Sequence, residues 1–143
     1  MVMYMEQTNS EKVYISGFGV RLISVDYKLL RNPINENLEV SLTQNVNIKK
    51  LEMNEFTLTA ERILKFQPKE FYELKVVVEI DYKVNLEETI KHIDSKEDLQ
   101  KYVENNLTVF FDKTPVGESI SLLIGQITST FGQYPIITPA KIS

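Results

Sequence analysis

Between Val13 and Val84 this chain alternates hydrophobic and polar residues along most of its length. From Leu38 the even positions read Leu38, Val40, Leu42, Gln44, Val46 and Ile48, and the odd ones Glu39, Ser41, Thr43, Asn45, Asn47 and Lys49. That period of two turns one face of a strand to a core and the other to water. After Met53-Asn54-Glu55 a second run sets Phe56, Leu58, Ala60, Leu64 and Phe66 against Thr57, Thr59, Glu61 and Lys65. Ile63 interrupts the run, which predicts a bulge there. Pro68-Lys69-Glu70 turns the chain, and Tyr72, Leu74, Val76, Val78, Ile80, Tyr82 and Val84 then form its clearest strand pattern. Upstream, Phe18, Val20 and Leu22 hand over to Ile23, Val25, Tyr27 and Leu29, moving the apolar face by one residue. A bulge near Leu22 reconciles the two halves of that first strand. Four strands with short polar connections predict an antiparallel meander with one wet face.

Beyond Val84 the period becomes helical. Ser95 with Asp98 three residues on is an N-terminal capping pattern, and Leu99, Tyr102, Val103, Asn106, Leu107, Phe110 and Phe111 follow at helical spacings. Thr114-Pro115 predicts an N-cap with proline at the first helical position. Val116, Ile120, Leu123, Ile124, Ile127 and Phe131 then make one apolar stripe ending at Gly132, a candidate C′ residue. Leu122 points away from Leu123 on such a helix, so two apolar surfaces are expected. Tyr134-Pro135-Ile136-Ile137-Thr138-Pro139 reads as an extended apolar tail held between prolines. The fold class is α+β: a four-stranded antiparallel sheet followed by C-terminal helices packed on one face.

At 143 residues the chain suits one core, expected over residues 13–143 behind a loosely ordered arm at 1–12. With 43% hydrophobic and 25% charged residues it can fill that core without staples. It contains no cysteine, and His92 is its only histidine, which excludes disulfide frameworks, thiol catalysis and Cys/His zinc sites. A reducing cytoplasmic setting is expected. The formal charge of −4 offers no basic footprint for nucleic acid or anionic lipid. No apolar run approaches the roughly 18 residues of a membrane span, so no membrane insertion is expected.

Reaction chemistry is sparse. Gly17-Phe18-Gly19 has Leu22 where a dinucleotide fingerprint needs its third glycine, and it reads as a bend in a strand. Glu79 and Asp81 share a strand face at roughly 7 Å, a spacing that could suit paired-carboxylate hydrolysis, but they read as the wet face of a sheet, where charges are expected. His92 lacks an orienting carboxylate at a telling spacing and reads as a solvated connector residue. Asn106-Leu107-Thr108 matches a glycosylation acceptor by pattern alone. The stretch Asp94 to Glu104 carries Lys96 and Lys101 among its acids, as a solvated helix face does. Gln44 alone interrupts the apolar face of its strand and reads as a core hydrogen-bond partner. No catalytic residue, cofactor or metal ligand emerges.

The order of elements, four strands, a connector, a helix and a Pro-bounded apolar tail, resembles the SecB-like protein-export chaperones. More specific is Leu122-Leu123-Ile124-Gly125-Gln126-Ile127-Thr128-Ser129-Thr130-Phe131-Gly132-Gln133-Tyr134-Pro135-Ile136-Ile137-Thr138-Pro139, similar to that family's helix end, glycine turn and Pro-x-x-x-Pro segment. Phe71 to Val78 is similar to the family's last strand and Val25 to Leu29 to its first. The resemblance covers about residues 13–139 and implies an ATP-independent chaperone that holds unfolded polypeptide in apolar grooves. It implies a homo-oligomer, dimer or tetramer, with Ile120, Leu123, Ile124, Ile127 and Phe131 at the interface. It makes Arg31 to Asn37 a crossover loop between the first two strands. It places a client groove around Val40, Leu42, Val46, Phe56, Leu58, Tyr134, Ile136 and Ile137.

Departures from the family narrow those expectations. Gly117-Glu118-Ser119-Ile120-Ser121 stands where the family has Phe-Pro-Tyr-x-Arg at its helix start. Ser24, Lys28 and Lys75 align with the acidic residues that meet the export motor, and no basic zinc-associated tail is found up to Ser143. The resemblance therefore supports a polypeptide client more than an export motor as partner. Two other readings stay open: a dedicated chaperone for one partner, of toxin–antitoxin type, and a small-ligand protein with polar groups converging in a pocket.

Overall fold

A computed structural model describes residues 12–31, 39–67, 71–129 and Pro139. The alternating runs form four strands, β1 (Ile15–Arg31), β2 (Glu39–Leu51), β3 (Glu55–Gln67) and β4 (Phe71–Val84). The helical part forms α1 (Leu86–Thr89), α2 (Lys96–Asn105), α3 (Leu107–Asp112) and α4 (Val116–Thr128). All strand pairs are antiparallel, in the order β1-β4-β3-β2. The meander expectation is corrected on this point: only β2, β3 and β4 run as consecutive neighbours, while β1 pairs with β4. Long β1 can match apolar rows with β4 along its length, and that pairing leaves β1 and β2 at opposite edges, joined by a crossover.

The register explains each alternation. Even residues of β4 lie opposite Phe56, Leu58, Ala60 and Leu64 of β3, and all of these are buried together with helix residues Leu99, Val103, Phe110, Phe111, Ile120 and Ile124. Burial of that kind contributes about 25 cal/mol per Å² of apolar surface. The expected bulge in β1 is present, since Leu22 faces Val78 and Ser24 faces Val77, leaving Ile23 as the extra residue. The bulge expected at Ile63 is absent. The β3 register runs unbroken through Arg62, Ile63 and Leu64, because Arg62 takes the core-facing position that an apolar residue would otherwise fill. A second bulge, at Lys49 of β2, has no counterpart in the sequence reading.

The helices are capped as their sequence suggests, with two shifts. Ser95 Oγ accepts from the Asp98 amide at 3.2 Å, starting α2. The single helix expected from Ser95 to Phe111 breaks at Asn106, whose φ of −131° leaves the helical region. Its side chain donates to the Tyr102 carbonyl at 2.7 Å, satisfying one end of α2. Pro115, not Thr114, is the N-cap of α4, while Thr114 Oγ1 accepts from Val116 N at 3.4 Å. The stripe Val116, Ile120, Ile124 faces the core, Leu123 and Ile127 are half-buried, and Leu122 is 65% exposed, so the two expected apolar surfaces of this helix exist. The α4 helix ends at Thr128, and the expected stop at Gly132 lies outside the described residues, as do residues 1–11 of the expected arm.

An aromatic cluster fixes the helices to the sheet. Phe110 meets Phe56 and Tyr82 edge-on, with centroids 5.3 and 5.9 Å apart, and the Tyr82 hydroxyl donates to the Phe110 carbonyl at 3.0 Å. That bond explains how Tyr82 is buried without an orphaned hydroxyl, and burial pushes its pKa up.

Candidate functional site, the two edges of the sheet

The carboxylate pair flagged by sequence is locked in place on the outer face of the sheet. Arg21 of β1 reaches Asp81 Oδ2 at 2.5 Å and Glu79 Oε1 at 2.7 Å, and Lys49 of β2 reaches Glu79 Oε2 at 2.5 Å. Thr57 donates to Asp81 Oδ1 at 2.7 Å. The Lys49 bulge re-aims that side chain toward Glu79, as bulges do. A hydrolytic general acid needs a raised pKa, yet the hydrogen bonds from Lys49 and then Arg21 hold the Glu79 carboxyl below its ordinary value. The pair is an ion-pair network spanning β1, β4 and β2. His92 is exposed, with its ring 5.9 Å from Tyr14. Among the described residues no three His, Cys, Asp or Glu gather into a metal-holding group, and no helix is long and apolar enough to cross a membrane.

Among the described residues surface shape and polarity mark the candidate site, and the two edges of the sheet differ. On β1, Phe18, Val20, Leu22, Val25, Tyr27 and Leu29 pair with even residues of β4 and so face the helix side. Phe18, Leu22 and Leu29 remain 46, 55 and 59% exposed. Tyr27 stacks on Tyr72 at 5.1 Å at the boundary with the covered core. Burial, and secondarily Tyr27, pushes the Tyr72 hydroxyl up to about 12.

On β2 the corresponding row lies under the helix layer. Val40, Leu42, Gln44, Val46 and Ile48 face the helix side opposite buried residues of β3, and α2 and α3 lie alongside. Leu42, Val46 and Ile48 are half-buried and Val40 is 51% exposed. Between strand and helices runs an open groove in two stretches of about 290 and 610 Å³, both touching Glu104 and Leu107. Gln44, Val46 and Val109 line the first stretch, and Ile48, Lys50, Lys96 and Gln100 the second.

Behind the groove sits a group that alternation could not announce. Arg62 is fully buried. Its Nε and Nη2 donate to Gln44 Oε1 at 3.0 and 2.7 Å, and its Nη1 donates to Ser121 Oγ at 3.2 Å and the Pro139 carbonyl at 2.9 Å. Loss of solvation lowers its pKa. Gln44 is thus the core hydrogen-bond partner its position suggested, and the Pro139 carbonyl shares the same guanidinium.

The structure sorts the remaining site residues. Phe56 and Leu58 are 0% exposed and are corrected from groove to core, because β3 is an inner strand covered by helices. Ile120 and Ile124 are likewise core residues of the single chain, not free for an interface, since α4 lays that stripe on the sheet. Leu123 and Ile127 keep partial exposure. Phe131, Tyr134, Ile136 and Ile137 lie outside the described residues. Sequence reasoning missed Arg62, Ile48, Leu107 and Val109. Arg62 was legible only as the gap beside Ile63, and Ile48 as the end of the β2 row.

No family model and no curated protein sequence matches the chain. Among solved structures it is similar to the Mycobacterium tuberculosis Rv1957 SecB-like chaperone in complex with a ChAD peptide from the Rv1956 HigA1 antitoxin, with a TM-score of 0.63 and 15% identity over 90% of each chain. The four-stranded antiparallel sheet followed by C-terminal helices is a SecB-like fold.

Proposed function

We propose that this protein is a SecB-like chaperone that holds an extended or unfolded polypeptide along the β2 edge, without nucleotide or metal. The observation that carries the proposal is the groove between β2 and helices α2 and α3, where Val46, Ile48, Leu107 and Val109 sit among polar side chains and Val40 and Leu42 continue the same β2 row beyond it. An edge strand offers main-chain donors and acceptors, and half-buried apolar side chains next to it take alternate residues of an added strand. Such a surface binds by burial and backbone pairing, so it is weakly selective for sequence. Pro139 lies beside this edge, its carbonyl accepting from the Arg62 guanidinium that also donates to Gln44.

A second reading has one specific support. The structural neighbour is a complex with an antitoxin peptide, which favours a dedicated partner over a general export client. The test is suppression of aggregation of an unfolded model protein, alongside titration of an antitoxin-type peptide, with Val40→Asp and Val109→Asp compared to the parent. Loss of both activities in both variants supports the groove. Activity on the peptide alone supports the dedicated role, and unchanged holding in both variants defeats the site.

A further inference from the structure

The helix-side row of β2 places one polar residue, Gln44, between Leu42 and Val46. Its carboxamide is oriented by the group behind it. Arg62 lies opposite Gln44 in the ladder, is 0% exposed, and sends Nε and Nη2 to Gln44 Oε1 at 3.0 and 2.7 Å. A guanidinium has donors and no acceptor, so only the amide oxygen can face it. Arg62 is held on its other side, where Nη1 donates to Ser121 Oγ and the Pro139 carbonyl. Gln44 Nε2 is thereby turned away from the guanidinium, and among the described residues it meets no acceptor. Gln44 is half-buried and lines the first stretch of the groove together with Glu104 and Val109.

We infer that Gln44 is the specificity-determining residue of this groove, its oriented amide nitrogen selecting extended segments that set a carboxamide or hydroxyl side chain opposite it, between apolar residues at alternate positions. The inference rests on β2 being the polypeptide-binding edge, and it adds one selective position to a surface otherwise weakly selective. A segment laid along β2 takes the Gln44 side chain out of water. An apolar residue opposite then strands its N–H donors, whereas a side-chain oxygen there pairs with one of them. Rotating the amide gives no escape, since its NH2 group would meet the guanidinium and orphan two of the Arg62 donors. A carboxylate could accept from Gln44 as well, but Glu104 lines the same stretch, its Oε1 accepting from Gln100 Nε2 at 3.0 Å, and its charge opposes a second one. An ammonium group sets donors against donors. A carboxamide or hydroxyl avoids both costs, and selection of this kind comes from the penalties imposed on the alternatives.

The test is titration, by fluorescence anisotropy, of labelled peptides matching the 13 residues of β2 in length. They carry valine at alternate positions and differ only at the central one of these, which is glutamine, leucine, glutamate or lysine. The glutamine peptide should bind about tenfold more tightly than the leucine peptide, and more tightly than the two charged ones. Glu104→Gln, at an exposed site, should raise the glutamate peptide to the level of the glutamine peptide. Gln44→Glu keeps an oxygen for Arg62, so circular dichroism should stay native, but it replaces the groove-facing donors by an acceptor and should reverse the order of the glutamine and lysine peptides. Equal binding of the glutamine and leucine peptides, with both lost in Val109→Asp, would leave the groove in place and overturn the inference. So would a glutamate peptide that stays weak in Glu104→Gln, or an unreversed order in Gln44→Glu. Binding of none of the peptides would remove the polypeptide-binding reading itself, and this inference with it.

Discussion

The two edges of the sheet carry the same alternation and end in different surroundings. Both β1 and β2 turn an apolar row to the helix side, but α2 and α3 lie over the β2 row and leave it half-buried beside a groove, while the β1 row stays open. The difference teaches that an apolar face is not a core until another element covers it. A partly covered edge can admit an extended chain, and an uncovered apolar one is open to pairing along its whole length.

The largest expected effect comes from making the β2 edge resemble the β1 edge. Phe110 anchors α3 to Phe56 and Tyr82, so Phe110→Ala should cost about 3–5 kcal/mol, read as a lower urea midpoint. An unchanged midpoint would mean that the helix cover is not what separates the edges. Next is the buried Arg62. Gln44→Leu removes the acceptor of two of its N–H groups and should cost about 2 kcal/mol. Arg62→Met, which removes the buried charge along with its need for acceptors, should cost less. The reverse order in thermal unfolding would show that Gln44 is not the main acceptor.

At the groove surface, Val40→Asp should change stability by no more than about 0.5 kcal/mol while weakening polypeptide holding roughly tenfold, about 1.4 kcal/mol. Equal binding by parent and variant would shift the groove away from the open end of β2.

The smallest effect concerns acid, and it tests the link between the edges. Glu79 on β4 takes Lys49 from β2 and Arg21 from β1. Its folded pKa lies below the ordinary 4.5, so its contribution is present above that value and is lost as pH falls through the folded pKa. Glu79→Gln should flatten the loss of stability on acidification below pH 4.5. An identical pH profile would show that the network adds nothing to folding.

Much of the fold was legible in particular residues. The alternation of Tyr72 to Val84 and of Leu38 to Ile48 named the faces, the change of parity at Ile23 named the bulge, and Ser95 named the start of α2. The break at Asn106 was not legible, because the apolar spacing from Leu99 to Phe111 continues through it. Nor was Arg62, since a core cation is tolerated only where distant groups, here Gln44, Ser121 and Pro139, meet its donors. The proposed site was legible only as apolar strand faces. Val40, Leu42 and Val46 stood out as one face of a strand, yet Phe56 and Leu58 read identically and proved to be core.

By itself the sequence determined which residues share a face, where helices begin and which chemistries are missing, because those follow from the period, caps and composition of neighbouring residues. The tertiary structure alone decided that β1 pairs with β4, that β2 and β1 become the edges, and that helices cover one apolar row and not the other. Strand pairing and cover depend on contacts between residues far apart in the chain, and rows of equal alternation compete for them on equal local terms.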